Sequence, residues 1–270
     1  TTAGAAIKLL ATGSITSNTA SNTLTTNGGA VLLASDTDGN DFGKIYSGNG
    51  LTIDTRTGLT GSKSTTGSGG GAITINATNS AANRGISFAY ATTMWSNGGQ
   101  ISITGGNTSS SGTPPGVEVM DVGAASNASD FYSSSNVAPA IGITASSSLG
   151  PAFEASQFAT AVNSIYFQAT GAGGISISGT NGSTTLNRPE VGINGTNLLS
   201  VGPITITTAT TTSNAGGYFD SQLVSPGGGS AVSNIGYCTV ATCPLSQVVT
   251  TAGNVTFNIN RQASYNNTIN

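Results

Sequence analysis

The sequence predicts an all-β solenoid, a chain wound into stacked coils, on three observations. A short phrase recurs in which glycine is followed by two β-favouring apolar residues separated by one small residue: GGAVLLAS (28–35), GNGLTIDT (48–55), GGGAITINA (69–77), GGQISITGG (98–106), GGISISG (173–179), GPITITT (202–208) and GNVTFNIN (253–260). Only 6% of the residues are charged, while 39 are glycine and much of the rest is Ser, Thr and Asn. Finally, no stretch keeps apolar residues at helical spacing for three turns, because glycine interrupts nearly every window and β-branched Thr, Val and Ile dominate.

The strand assignment follows from alternation. At period two, Ile73 and Ile75 share one face with Thr74 opposite, and Ile101 and Ile103 share one face with Ser102 opposite. A short strand with one apolar face cannot bury it alone in water, so it stabilises itself on copies stacked before and after it. The first apolar positions Val31, Leu51, Ile73 and Ile101 lie 20, 22 and 28 residues apart, and Val117, Ile141 and Ile165 lie 24 and 24 apart. Two longer stretches, 86–106 and 164–179, both run from an aromatic-rich strand through a small-residue turn into a GG–Ile-Ser-Ile strand, which implies two strands per coil joined by a tight corner. At about 22 to 25 residues per coil the chain makes roughly 11–12 coils, a rod on the order of 50 to 60 Å long at strand spacing. Glycine and Asn at corners supply positive φ. The uncharged polar surface has a reason too: like charges would line up along a stack, whereas Ser, Thr and Asn form ladders.

Projecting loops are expected where the repeat is irregular, at 104–116 and across 208–247. The second span carries the two cysteines, Cys238 and Cys243 in GYCTVATCPL. Their spacing fits no zinc knuckle, and a local disulfide in an oxidising setting is the expectation, with two free thiols as the alternative. Histidine is absent, which removes Ser-His-Asp and Cys-His chemistry. The formal net charge of −3, with seven scattered Lys and Arg, offers no footprint for nucleic acid. Nothing approaches the roughly 18 apolar residues that span a bilayer, and no cofactor or metal is expected.

Three acidic residues, Asp36, Asp38 and Asp41, fall within SDTDGND. The stretch superficially resembles a calcium loop, but Asp41 stands where that loop needs glycine and Ser47 where it needs glutamate, so a turn with solvated carboxylates is the reading and a weak calcium site the alternative. Asp54 and Arg56 share a face by alternation, and with Asp36–Asp41 a coil away they raise a glycoside-cleaving alternative; the simpler reading is an exposed ion pair. Trp95, with Met94, Phe88 and Tyr90, is either core or a sugar-stacking platform. The N-x-S/T triplets at Asn76, Asn107, Asn181, Asn194 and Asn254 are what chance produces in such a composition.

The phrases GGAITINA, GNGLTIDT and GGQISITGG, with the Gly/Ser/Thr/Asn bias over residues 28–260, resemble the large secreted exoproteins of Gram-negative bacteria related to filamentous haemagglutinin, including two-partner-secretion adhesins. The resemblance implies a right-handed parallel β-helix, passage through an outer-membrane transporter, an extracellular or cell-surface location, and a non-enzymatic role in adhesion or filament building, including self-association. The family's Asn-Pro secretion motif is absent, so residues 1–270 are expected to be one shaft segment of a longer chain. A phage tailspike-like or polysaccharide-degrading β-helix is the alternative.

Overall fold

A computed structural model describes residues 4–18, 22–58, 69–121, 129–157, 165–182, 190–210, 219–222, 234–235 and 246–259. The chain forms a parallel β-helix whose strands up to Phe219–Gln222 belong in rotation to three sheets. The first sheet stacks Ile7–Leu10, Val31–Ala34, Ile73–Asn79, Ile101–Asn107, Ile141–Ser147, Ile175–Asn181, Ile204–Thr210 and Val255–Ile259. The second stacks Ile15–Ser17, Ile45–Ser47, Ile86–Phe88, Val117–Asp121, Phe153–Gln157, Val191–Asn194 and Phe219–Gln222, with Asn234–Ile235 antiparallel at its end. The third stacks Asn22–Thr25, Leu51–Asp54, Thr92–Ser96, Asp130–Ser133, Ile165–Ala169, Thr196–Ser200 and Gln247–Thr250.

The solenoid expectation holds, but its coil count does not. Among the described residues each coil uses three strands, not two, and the stack has seven full coils plus an eighth strand of the first sheet. The phrase at Leu51 lies on the third sheet, between Val31 and Ile73 on the first, so equal spacing along the chain mixed two sides of one coil. The same is true of Val117, Ile141 and Ile165, which lie on the second, first and third sheets. Measured by register, a coil takes from 24 residues (Ile7 to Val31) to 51 (Ile204 to Val255). Seven steps at about 4.8 Å make a stack on the order of 34 Å, shorter than 11–12 coils require.

The core is a set of unbroken columns. On the first sheet, Ile7, Val31, Ile73, Ile101, Ile141, Ile175, Ile204 and Val255 are in register. Beside them run Leu9, Leu33, Ile75, Ile103, Ile143, Ile177, Ile206 and Phe257. The third sheet contributes Leu24, Ile53, Met94, Phe131, Phe167, Leu198 and Val248. Within that column the Phe131 and Phe167 rings stack at 4.6 Å, and Phe88 and Phe153 from the second sheet approach them at 6.2 Å each. Like side chains one step apart fill the same space repeatedly, and the inner coils exclude water while Leu9 and Val255 at the ends remain 41% and 38% exposed.

The corner leading into the first sheet shows why the phrase opens on glycine. Gly28 and Gly98 take positive φ (100° and 84°). The glycine after each serves a different purpose: a Cβ on Gly29 would stand 2.0 Å from the Ala5 carbonyl oxygen, and one on Gly99 2.3 Å from that of Gly71. Successive coils touch backbone to backbone here, so a doublet is required. Hydroxyls close the same corner: Ser96 donates to the Gly71 carbonyl (2.9 Å), Ser133 to Gly99 (2.7 Å) and Thr250 to Gly202 (2.8 Å). The uncharged polar residues are thus partly internal. At the far end of the first-sheet strands, Asn79, Asn107, Ser147 and Asn181 form a buried polar column in register.

Candidate functional site

The acidic stretch 36–41 is a turn between the first and second sheets. Asp36 and Asp41 both take positive φ (58° and 63°), and the Asp36 carboxylate accepts the Asp41 amide at 2.8 Å. Asn40 donates to Asp38 at 2.8 Å, and Thr108, two coils on, lies 3.4 Å from Asp41. These carboxylates cap their own loop, and among the described residues no group of three or more His, Cys, Asp or Glu is arranged to hold a metal. Asp54 lies on the third sheet, so the turn and Asp54 occupy different sides of the coil and do not converge.

The strongest polar constellation is on the outer face of the third sheet. Asp54 and Arg56 do share a face, but their pair is buried, not exposed: the Arg56 and Asp54 side chains are 4% and 9% exposed. Arg56 donates through Nε and the terminal nitrogen to the two Asp54 oxygens at 2.9 and 2.6 Å, a fork-to-fork pairing. Its guanidinium carbon sits 4.3 Å from the ring centroid of Trp95, one coil further on, which is in register with Asp54. Trp95 in turn donates its indole N–H to Asp130 (2.9 Å), which Gln168 of the next coil approaches at 3.5 Å. Tyr132, in register with Trp95, is buried and accepts the Thr170 hydroxyl at 3.1 Å.

The network links four coils through side chains that each hold a partner. The buried Asp54 charge is compensated by Arg56, which in turn is covered by an aromatic face. Phe88 and Met94 are fully buried and belong to the core, while Tyr90 is 38% exposed, so these residues do not join Trp95 in one platform. Asn107 and Asn181 are each 1% exposed and serve the corner column; Asn107 donates its amide to the carbonyls of Ala81 and Asn83. Cys238 and Cys243 lie outside the described residues, as does most of the span 208–247, although Phe219–Gln222 within it pairs in parallel with Val191–Asn194 as part of the stack.

Sequence reasoning missed the partners that come from other coils. Asp130 meets Trp95 across 35 residues, and Glu118 meets Ser87 across 31. Because coil length varies from 24 to 51 residues, no fixed period exposes them; only aligning the phrases by sheet does. Comparison of this chain with family models, with curated proteins and with solved structures finds no match. The likeness to haemagglutinin-related exoproteins therefore stands on the repeat phrases themselves.

Proposed function

We propose that this chain is a stiff rod segment of a secreted bacterial surface or filament-forming exoprotein, exported through an outer-membrane transporter and serving adhesion or extracellular assembly. The observation that carries the reading is the pair of inward columns from Ile7 to Val255 and from Leu9 to Phe257, continuous across all eight first-sheet strands. Such a ladder resists bending because each coil is bonded to both neighbours along three sides. In this role the Asp54–Arg56–Trp95–Asp130 network binds coils together and performs no reaction. The test is gold-labelled antibody against the chain on native cells: label along surface or shed filaments agrees with the proposal, and label confined to the cytosol refutes it.

The alternative, a polysaccharide-degrading β-helix, draws on the outward aromatic and acidic strip of the third sheet. A glycan-release assay decides it: cleavage lost on substituting Asp54 and Asp130 would replace the rod reading.

A further inference from the structure

The second sheet carries a notch that the rod does not use. Its outward column places Tyr46, Ser87 and Glu118 in register on successive coils. Ser87 is short between two long neighbours, which leaves a depression of about 210 Å³ lined by Lys44, Tyr46, Asn83, Arg84 and Ser87. Tyr46 is held aside because Gly48 has no side chain where the ring passes: a Cβ there would stand 2.8 Å from the ring. The Lys44 ammonium lies 5.5 Å from the Tyr46 ring centroid.

The basic side of the notch is built from below. Glu118 is 3% exposed and accepts the Ser87 hydroxyl at 2.8 Å; it also pairs with Nε of Arg84. That ion pair holds the guanidinium beside Glu118, and the Arg84 side chain stays 42% exposed at the notch. Two of the chain's seven Lys and Arg therefore meet in one small depression of a protein that is 6% charged. Lys44, Arg84 and Glu118 together carry +1, and Glu154, next in the column, lies beyond Glu118 on the side away from Tyr46.

We propose that this notch binds one carboxylated sugar unit of an acidic polysaccharide. The carboxylate sits between Lys44 and Arg84, a ring hydroxyl meets Asn83, and the apolar face of the sugar lies against Tyr46. The notch is larger than a bare inorganic anion needs, and an aromatic wall beside a guanidinium is the combination that recognises an anionic, partly apolar ring. The inference goes beyond the rod reading and does not depend on it.

The test is a titration of the full chain with methyl glucuronide, followed by nuclear magnetic resonance, with methyl glucoside and acetate as comparisons. A ligand of this size making these few contacts is expected to saturate with Kd on the order of 1 mM. Methyl glucoside and acetate should each bind at least about 10-fold more weakly, since each lacks one half of the recognition. Lys44→Met keeps the stem, leaves the Arg84–Glu118 pair intact, and should weaken methyl glucuronide about 10-fold with an unchanged strand spectrum. Arg84→Lys keeps the charge but loses the fork, and should also weaken it. No saturation, equal binding of methyl glucoside or acetate, or Lys44→Met binding as tightly as the parent would each overturn the proposal.

Discussion

Replacing Ile103 by alanine tests whether stacking supplies the stability. Ile103 is fully buried in mid-column, in register with Ile75 on one side and Ile143 on the other. The substitution removes three carbons, worth about 2.4 kcal/mol at about 0.8 kcal/mol per buried methylene. Neighbouring coils are hydrogen-bonded at fixed separation and cannot close the gap, so a cavity cost brings the loss to about 3–4 kcal/mol. Leu9→Ala removes as many carbons from the same column in the end coil, but Leu9 is 41% exposed and has a coil on one side only. Scaling the transfer cost by the buried share, with no closed cavity, leaves about 1–1.5 kcal/mol. The assay is denaturant unfolding followed by far-ultraviolet circular dichroism, comparing midpoints at equal slope. Equal losses at the two sites, or a loss at Ile103 below about 1 kcal/mol, would refute the stacked-column account.

Two further perturbations address the surface network and the corners. Arg56→Met strands the Asp54 carboxylate in a buried site and should cost about 3–5 kcal/mol, while the double change Asp54→Leu with Arg56→Met should recover most of it; the Trp95 fluorescence should shift in both, and a double change as damaging as the single would contradict the pairing. Gly99→Ala drives a Cβ to 2.3 Å from the Gly71 carbonyl oxygen and should cost at least about 1–3 kcal/mol, whereas Gly13→Ala, where nothing lies within 4 Å, should stay within about 0.5 kcal/mol; matching melting temperatures for the two would contradict the close corner.

Strand identity and facing were legible in the sequence because alternation is a local signal: Ile73/Ile75 and Ile101/Ile103 point inward as their patterns require. The number of strands per coil was not legible. Second-sheet strands such as Ile45–Ser47 and Ile86–Phe88 are only three residues long, and Ile86–Phe88 runs within four residues into Thr92–Ser96 of the third sheet, so the two read as one aromatic-rich strand. The corner glycines were read as positive-φ residues, which holds for Gly28 and Gly98; the second role, contact with the preceding coil at Gly29 and Gly99, depends on stacking geometry. For Asp54 and Arg56, two residues apart, a shared face was legible, but burial was not, because the Trp95 ring against Arg56 belongs to the next coil. The turn at Asp36–Asp41 was legible because its carboxylate and amide partners are five residues apart, but the approach of Thr108 to Asp41 comes from another coil and was not.

Register along the first sheet is the most direct object of measurement. Lys8, Leu32, Thr74, Ser102, Gly142, Ser176, Thr205 and Thr256 occupy one outward column on successive coils. Spin labels placed in pairs along it, with Cys238 and Cys243 replaced by serine, report separations by pulsed electron paramagnetic resonance. The stack predicts about 24 Å for Thr74 with Thr256, about 29 Å for Lys8 with Thr205 and about 34 Å for Lys8 with Thr256, rising by about 4.8 Å per coil whatever the number of residues between. Separations that follow chain length instead, or that fail to rise with coil number, would contradict it.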